Sequence, residues 1–106
     1  MKKALIICNQ GMSSSFMAKK TTEYLKNKGA DIEIAATTII DGERKVQANG
    51  EDLYLVSPQA RMIFDRLKKI ADENGAKIAQ IPFEAYAPVE PSIAKLAALV
   101  EGELSK

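Results

Sequence analysis

Four apolar residues in a row, Ala4-Leu5-Ile6-Ile7, run straight into the polar segment Cys8-Asn9-Gln10-Gly11-Met12-Ser13-Ser14-Ser15. A strand with one wet face alternates apolar and polar side chains. An unbroken apolar run closed by a glycine-containing turn instead fits a strand covered on both faces. Strands of that kind belong to parallel sheets, whose crossovers need long connections, usually helices, so the feature points to an α/β layout. The following residues comply: Met17, Thr21, Tyr24, Leu25 and Lys28 fall at helical spacing. They predict a helix from about Ser14 to Lys28, ended by Gly29.

The rest of the chain repeats the theme. Asp31 to Ile40, rich in Ile, Thr and Ala, reads as a second strand, and the polar stretch from Asp41-Gly42 to Asn49-Gly50 as a surface loop with at most a short helical turn. Leu53 to Val56 is a third strand closed by Ser57-Pro58. Ala60, Ile63, Phe64, Leu67, Ile70 and Ala71 then form one apolar helical face, stopped by Asn74-Gly75. Lys77 to Ile81 is a fourth strand, and Pro82 to Glu90 a loop. Pro91 opens a last amphipathic helix through Ile93, Leu96, Ala97, Val100 and Leu104. The order β-α-β-β-α-β-α predicts an open, doubly wound, four-stranded parallel sheet flanked by three helices. At 106 residues the expectation is one domain spanning 1–106.

In such a sheet, ligands bind beyond the carboxyl ends of the strands. Three predicted loops meet there: Cys8 to Ser15, Ser57 to Gln59, and Pro82 to Glu90. Charge narrows the chemistry. Fifteen Lys and Arg against fourteen Asp and Glu leave a net charge of +1, which gives no electrostatic reason to expect nucleic acid as a partner. No stretch approaches the roughly twenty apolar residues of a membrane span, so no direct membrane insertion is expected. The sequence contains no His, which removes the commonest metal ligand and general base, and neither a metal nor a cofactor is expected. The single Cys cannot form an internal disulfide and stays available in a reducing, cytoplasmic compartment.

Attention therefore falls on Cys8. Unpaired N–H groups at a helix start, backed by the helix dipole, attract an anion, and the same field favours a nucleophilic thiolate. Gly11 lets the backbone curl inward, and Ser13, Ser14 and Ser15 add donors, one of which could also cap the helix. A thiolate in a cradle suited to a dianion suggests a phosphocysteine, with Asn9, Gln10, Gly11, Met12, Ser13, Ser14 and Ser15 around the phosphoryl group. The competing reading is a small core side chain at the end of a buried strand.

The segment from Leu5 to Ser15 resembles the active loop of the enzyme IIB components of the bacterial sugar phosphotransferase system, lactose/cellobiose family. Asp52 to Gln59 resembles that family's strand ending in a Gly-Pro-Gln-like turn, and Ile81 to Tyr86 its later loop ending in a tyrosine. The three blocks occur in order and cover essentially the whole chain. The resemblance implies a relay. Phosphohistidine on enzyme IIA would donate to Cys8. Phosphocysteine would then donate to a sugar held by the membrane permease, enzyme IIC. Transient docking is expected of a carrier that must meet two partners, and a monomer is expected. A β-glycoside of the cellobiose, lactose or chitobiose type is implied, its recognition residing in enzyme IIC. Gln59 and Tyr86 become candidate loop or partner contacts, and Phe16 and Met12 candidates for apolar docking. The sequence departs from the family pattern at Asn9-Gln10, where small residues are common, and at Ser57, where glycine is common.

Two alternatives accompany this reading. Low-molecular-weight tyrosine phosphatases also place a Cys loop after the first strand. Their loop needs an Arg six residues later to clamp the phosphoryl group, and Ser14 stands at that position. They also use an Asp followed by Pro as general acid, a dipeptide missing from this sequence. The other alternative is a regulatory IIB-like domain that retains the fold without the relay.

Overall fold

The computed structural model describes residues 1–9 and 11–106, with residues 11–13 described through their backbone alone. Four strands, β1 (Lys2–Ile7), β2 (Ile32–Thr37), β3 (Leu53–Val56) and β4 (Ile78–Gln80), form one sheet in the order β2-β1-β3-β4. Every pairing is parallel, with Ile7 opposite Thr37 on one side and Val56 on the other. The long helices among the described residues are α1 (Gly11–Asn27), α2 (Ile39–Ala48), α3 (Phe64–Asn74) and α4 (Glu90–Leu104).

Alternation along the central strands sorts the core into two layers. Ala4, Ile6, Leu53 and Leu55 pack with Met17, Ala18 and Leu25 of α1 and with Leu96, Ala97 and Val100 of α4. Leu5, Ile7, Tyr54 and Val56 pack on the other side with Val46 of α2 and with Leu67 and Ala71 of α3. The apolar run in β1 thus serves both layers at once, as its composition requires.

The predicted sheet and its parallel, doubly wound character hold, with one helix more than expected. The second strand stops at Thr37 instead of continuing to Ile40, and α2 occupies what the sequence suggested was a surface loop. Its start is fixed by Thr38, whose side-chain oxygen accepts from the Asp41 N–H, and its end by Asn49 in the left-handed region at φ 49°. The helix is cryptic because Gly42 and Val46 supply its fully buried face. Read in sequence, Asp41-Gly42 looks like a turn; in space, the missing side chain lets α2 approach Ile7.

Smaller corrections concern boundaries. α1 begins at Gly11, three residues earlier than expected, so Ser13 to Ser15 belong to its first turns. The helix expected from Ala60 is divided. Pro58–Ile63 is a 3-10 segment with Ala60 off helical geometry, and the α-helix proper starts at Phe64. A further 3-10 turn, Phe83–Ala85, lies in the predicted loop after β4, and Pro91 sits in the first turn of α4 as expected. Among the described residues no helix is long and apolar enough to cross a membrane.

Candidate functional site

The site grows from the carboxyl end of β1. Ladder bonds continue one step past the strand: the Cys8 N–H donates to the Thr37 carbonyl at 3.0 Å, and the Ser57 N–H donates to the Ile7 carbonyl at 3.0 Å. Cys8 is thereby pinned between the ends of β2 and β3. α1 begins three residues further on, so the turn carrying the thiol is shorter than the sequence suggested.

Cys8 is buried, at 1% exposure, yet it belongs to neither apolar cluster of the core. Its Sγ donates to Asn9 Oδ1 at 3.7 Å, a weak interaction within the turn itself. The start of α1 contains no acidic residue, so nothing on the helix offsets the positive end of its dipole. Ser14 is fully buried on the stripe that α1 turns toward the sheet, in line with Met17, Ala18, Thr21 and Leu25. Ser15 and Asn9 are exposed. Gln10 lies outside the described residues, as do the side chains of Met12 and Ser13.

Two other loops arrive at the same edge, as predicted. After β3, Ser57 is fully buried and Gln59 is exposed at the start of the 3-10 segment. After β4, Tyr86 packs into the core at 7% exposure. Tyr86, Phe16, Met17 and Pro88 line an apolar hollow of about 390 Å³. Phe16, expected as a docking candidate, is exposed beside it. On the opposite flank of the edge, Phe83 is exposed and carries the Arg61 guanidinium 5.4 Å from its ring centre.

Sequence reasoning missed Gln80. Its side-chain Nε2 donates to the carbonyls of Val56 at 2.9 Å, Ser57 at 3.1 Å and Ile81 at 3.1 Å. One amide group therefore ties the end of β4 to the turn after β3. The available signal was a polar residue one position before the end of the predicted strand Lys77 to Ile81, just ahead of Ile81-Pro82.

A parallel α/β sheet with a lone, sheltered cysteine at its first strand-to-helix turn defines a class of small domains built around a thiol at a helix start. The sequence profile described as "PTS system, Lactose/Cellobiose specific IIB subunit" matches residues 3–94. A curated relative from Bacillus subtilis (strain 168), the oligo-beta-mannoside-specific EIIB component of the PTS system, is 33% identical over 86 residues, covering 81% of this chain and 82% of its own length. The lactose-specific IIB domain from Streptococcus pneumoniae superposes with a TM-score of 0.80 at 19% identity, covering 96% of both chains. The cellobiose-specific phosphotransferase IIB component from Borrelia burgdorferi gives 0.75 at 25% identity, covering 98% of this chain and 92% of its own. This chain belongs to the lactose/cellobiose-specific IIB subunit family of the sugar phosphotransferase system.

Proposed function

We propose that the 106 residues act as one phosphocarrier domain in which Cys8 accepts a phosphoryl group from phosphohistidine on an enzyme IIA and passes it to a sugar held by an enzyme IIC permease. The observation that carries this reading is the position of Cys8, in the turn between the central strand β1 and the start of α1, a helix whose first turn holds no carboxylate.

Loading is a displacement at phosphorus. The Cys8 thiolate forms the S–P bond as the N–P bond of the donor breaks, and that electron pair returns to the imidazole. N–H groups at the start of α1, with Asn9 to Ser15 around them, take up the negative oxygens. Discharge reverses the roles of sulfur: a sugar hydroxyl forms the O–P bond and gives up its proton, and the S–P electron pair returns to Cys8. The sequence lacks the Asp-Pro dipeptide of the Cys-loop phosphatases and carries Ser14 in place of their Arg, so the group waits for the sugar.

Burial of Cys8 adds a condition. At 1% exposure the sulfur needs the turn to give way as the donor docks, which ties phosphoryl entry to recognition of the right partner. Phe16, Tyr86 and the exposed Gln59 are the contacts we assign to partners, with the carrier acting as a monomer at the cytoplasmic face of the permease. The name of the Bacillus relative supports a β-linked sugar as the final acceptor.

The test supplies the general phosphotransferase components and enzyme IIA with labelled phosphoenolpyruvate and maps the label. The wild type takes up label on Cys8 and Cys8→Ser takes up none. Label that survives Cys8→Ser, or a folded wild type that never accepts it, overturns the proposal.

A further inference from the structure

Ser57 carries a hydroxyl with nothing to do in the unloaded protein. The residue is fully buried, and its Oγ has no hydrogen-bond partner among the described residues. Serine before a helical segment ordinarily caps it, but this side chain makes no capping bond. Pro58 removes the first N–H, and the Ala60 N–H goes to the Ser57 carbonyl instead. Leaving a buried hydroxyl unpaired is costly, so an orphan of this kind points to a partner outside the polypeptide.

Register shows where that partner lies. Ile7 and Val56 are paired, and both face α2 and α3. Cys8 and Ser57 each lie one residue further, and Ser57 keeps an extended backbone at φ −65° and ψ 156°. The Cys8 N–H likewise keeps a ladder bond to the Thr37 carbonyl, so side-chain alternation carried one step past each strand assigns both residues to the α1 side of the sheet. The Ser57 N–H to Ile7 carbonyl bond keeps the two strand ends side by side, at the ladder spacing of about 4.8 Å. Gln80 grips the Val56 and Ser57 carbonyls and fixes the turn in place.

We propose that the Ser57 hydroxyl donates to an oxygen of the phosphoryl group on Cys8, a bond that exists only in the loaded protein. The inference rests on the assignment of Cys8 as the carrier. The unloaded sulfur makes no hydrogen bond with Ser57, whereas a phosphoryl group adds three strong acceptor oxygens beyond that sulfur. Ser57 thus holds phosphocysteine down in free energy and sets how far loading proceeds against the donor.

The experiment equilibrates wild type, Ser57→Ala and Ser57→Gly with a fixed ratio of phosphorylated to free enzyme IIA, and measures the phosphocysteine fraction and the thermal midpoint of each unloaded protein. Loss of one charge-assisted bond lowers the ratio of loaded to unloaded protein about tenfold in both variants. The unloaded Ser57→Ala protein melts no lower than wild type, because an unpaired buried hydroxyl has gone. Equal loading of all three overturns the inference and assigns the hydroxyl to a buried water. Reduced loading together with a lowered unloaded midpoint in both variants also overturns it, making Ser57 structural. A wild type that takes no label at all fails earlier, at Cys8, and is recognised by that.

Discussion

Gly42 of α2 sits against the side chain of Ile7: a Cβ built on the glycine falls 2.8 Å from both Cγ1 and Cγ2 of the isoleucine. Ile7 is the residue before Cys8, and is itself fully buried. Helix α2 can reach the sheet only because position 42 has no side chain, and in doing so it packs against the last turn-ward residue of β1. Gly42→Ala gains helix propensity of at most about 1 kcal/mol but forces overpacking of about 1–3 kcal/mol. The expected result in urea denaturation is net destabilisation. A Gly42→Ala protein more stable than wild type would show that α2 is free to withdraw.

The same contact explains what could and could not be read in the sequence. β1, β3 and the final helix announce themselves because their buried faces are made of large apolar side chains at the proper period, such as Leu53 to Val56 and Leu96, Ala97 and Val100. α2 does not, because its buried face includes a glycine, which periodicity scores as punctuation. Its one legible signal was Thr38 three residues ahead of Asp41, the acidic residue whose N–H the threonine caps. At the carboxyl edge, the placement of Cys8 and of the three loops was legible from motif and topology. The bracing role of Gln80 and the orphaned Ser57 hydroxyl were not, since both depend on the register of β3 against its neighbours.

Gln80 offers a second test of the edge. Its amide has two hydrogens facing three carbonyls, so the arrangement is a shared donor with no acceptor role on that side. Gln80→Leu removes the donors, but the Val56 carbonyl keeps its bond from the Ile81 N–H at 2.8 Å. Gln80→Glu instead sets a carboxylate against carbonyl oxygens. We expect the leucine variant to lose about 1 kcal/mol and the glutamate variant about 2–3 kcal/mol at neutral pH. Burial among carbonyls raises the pKa of the introduced carboxyl in the fold. Stability of that variant is then greatest below the ordinary carboxyl range and falls as pH rises through the folded-state value. A glutamate variant as stable as the leucine one at pH 7 would count against the bracing role.

Tyr54 gives a pH signature at the other end of the sheet. Its hydroxyl donates to the Lys45 carbonyl at 2.6 Å and accepts from the Glu51 N–H at 3.1 Å, tying β3 to the last turn of α2. Burial pushes its phenol above the ordinary tyrosine value of about 10. The unfolded chain therefore loses this proton first as pH rises. The stabilisation is fully present below pH 10 and is lost as pH climbs through the higher folded-state value. Tyr54→Phe should cost about 1–2 kcal/mol at neutral pH, and its deficit relative to wild type should shrink above pH 10. A deficit that stays constant through alkaline pH would show that the hydroxyl does not matter to the fold.

Accessibility of Cys8 is the measurement closest to function. A thiol at 1% exposure should be protected from a small alkylating agent in the folded protein. Iodoacetamide should modify the native chain about a hundredfold more slowly than the urea-unfolded one, with modification followed by mass spectrometry. Gly42→Ala, which crowds the Ile7 side chain just before Cys8, and Gln80→Leu, which frees the turn at Ser57, should both shorten the native lifetime of the thiol. Tyr54→Phe acts at the far end of β3 and should speed alkylation only as far as it lowers global stability. Equal rates for folded and unfolded wild type would mean that the sulfur is already open to solvent. Phosphoryl entry would then need no movement of the turn, and partner docking would have nothing to unlock.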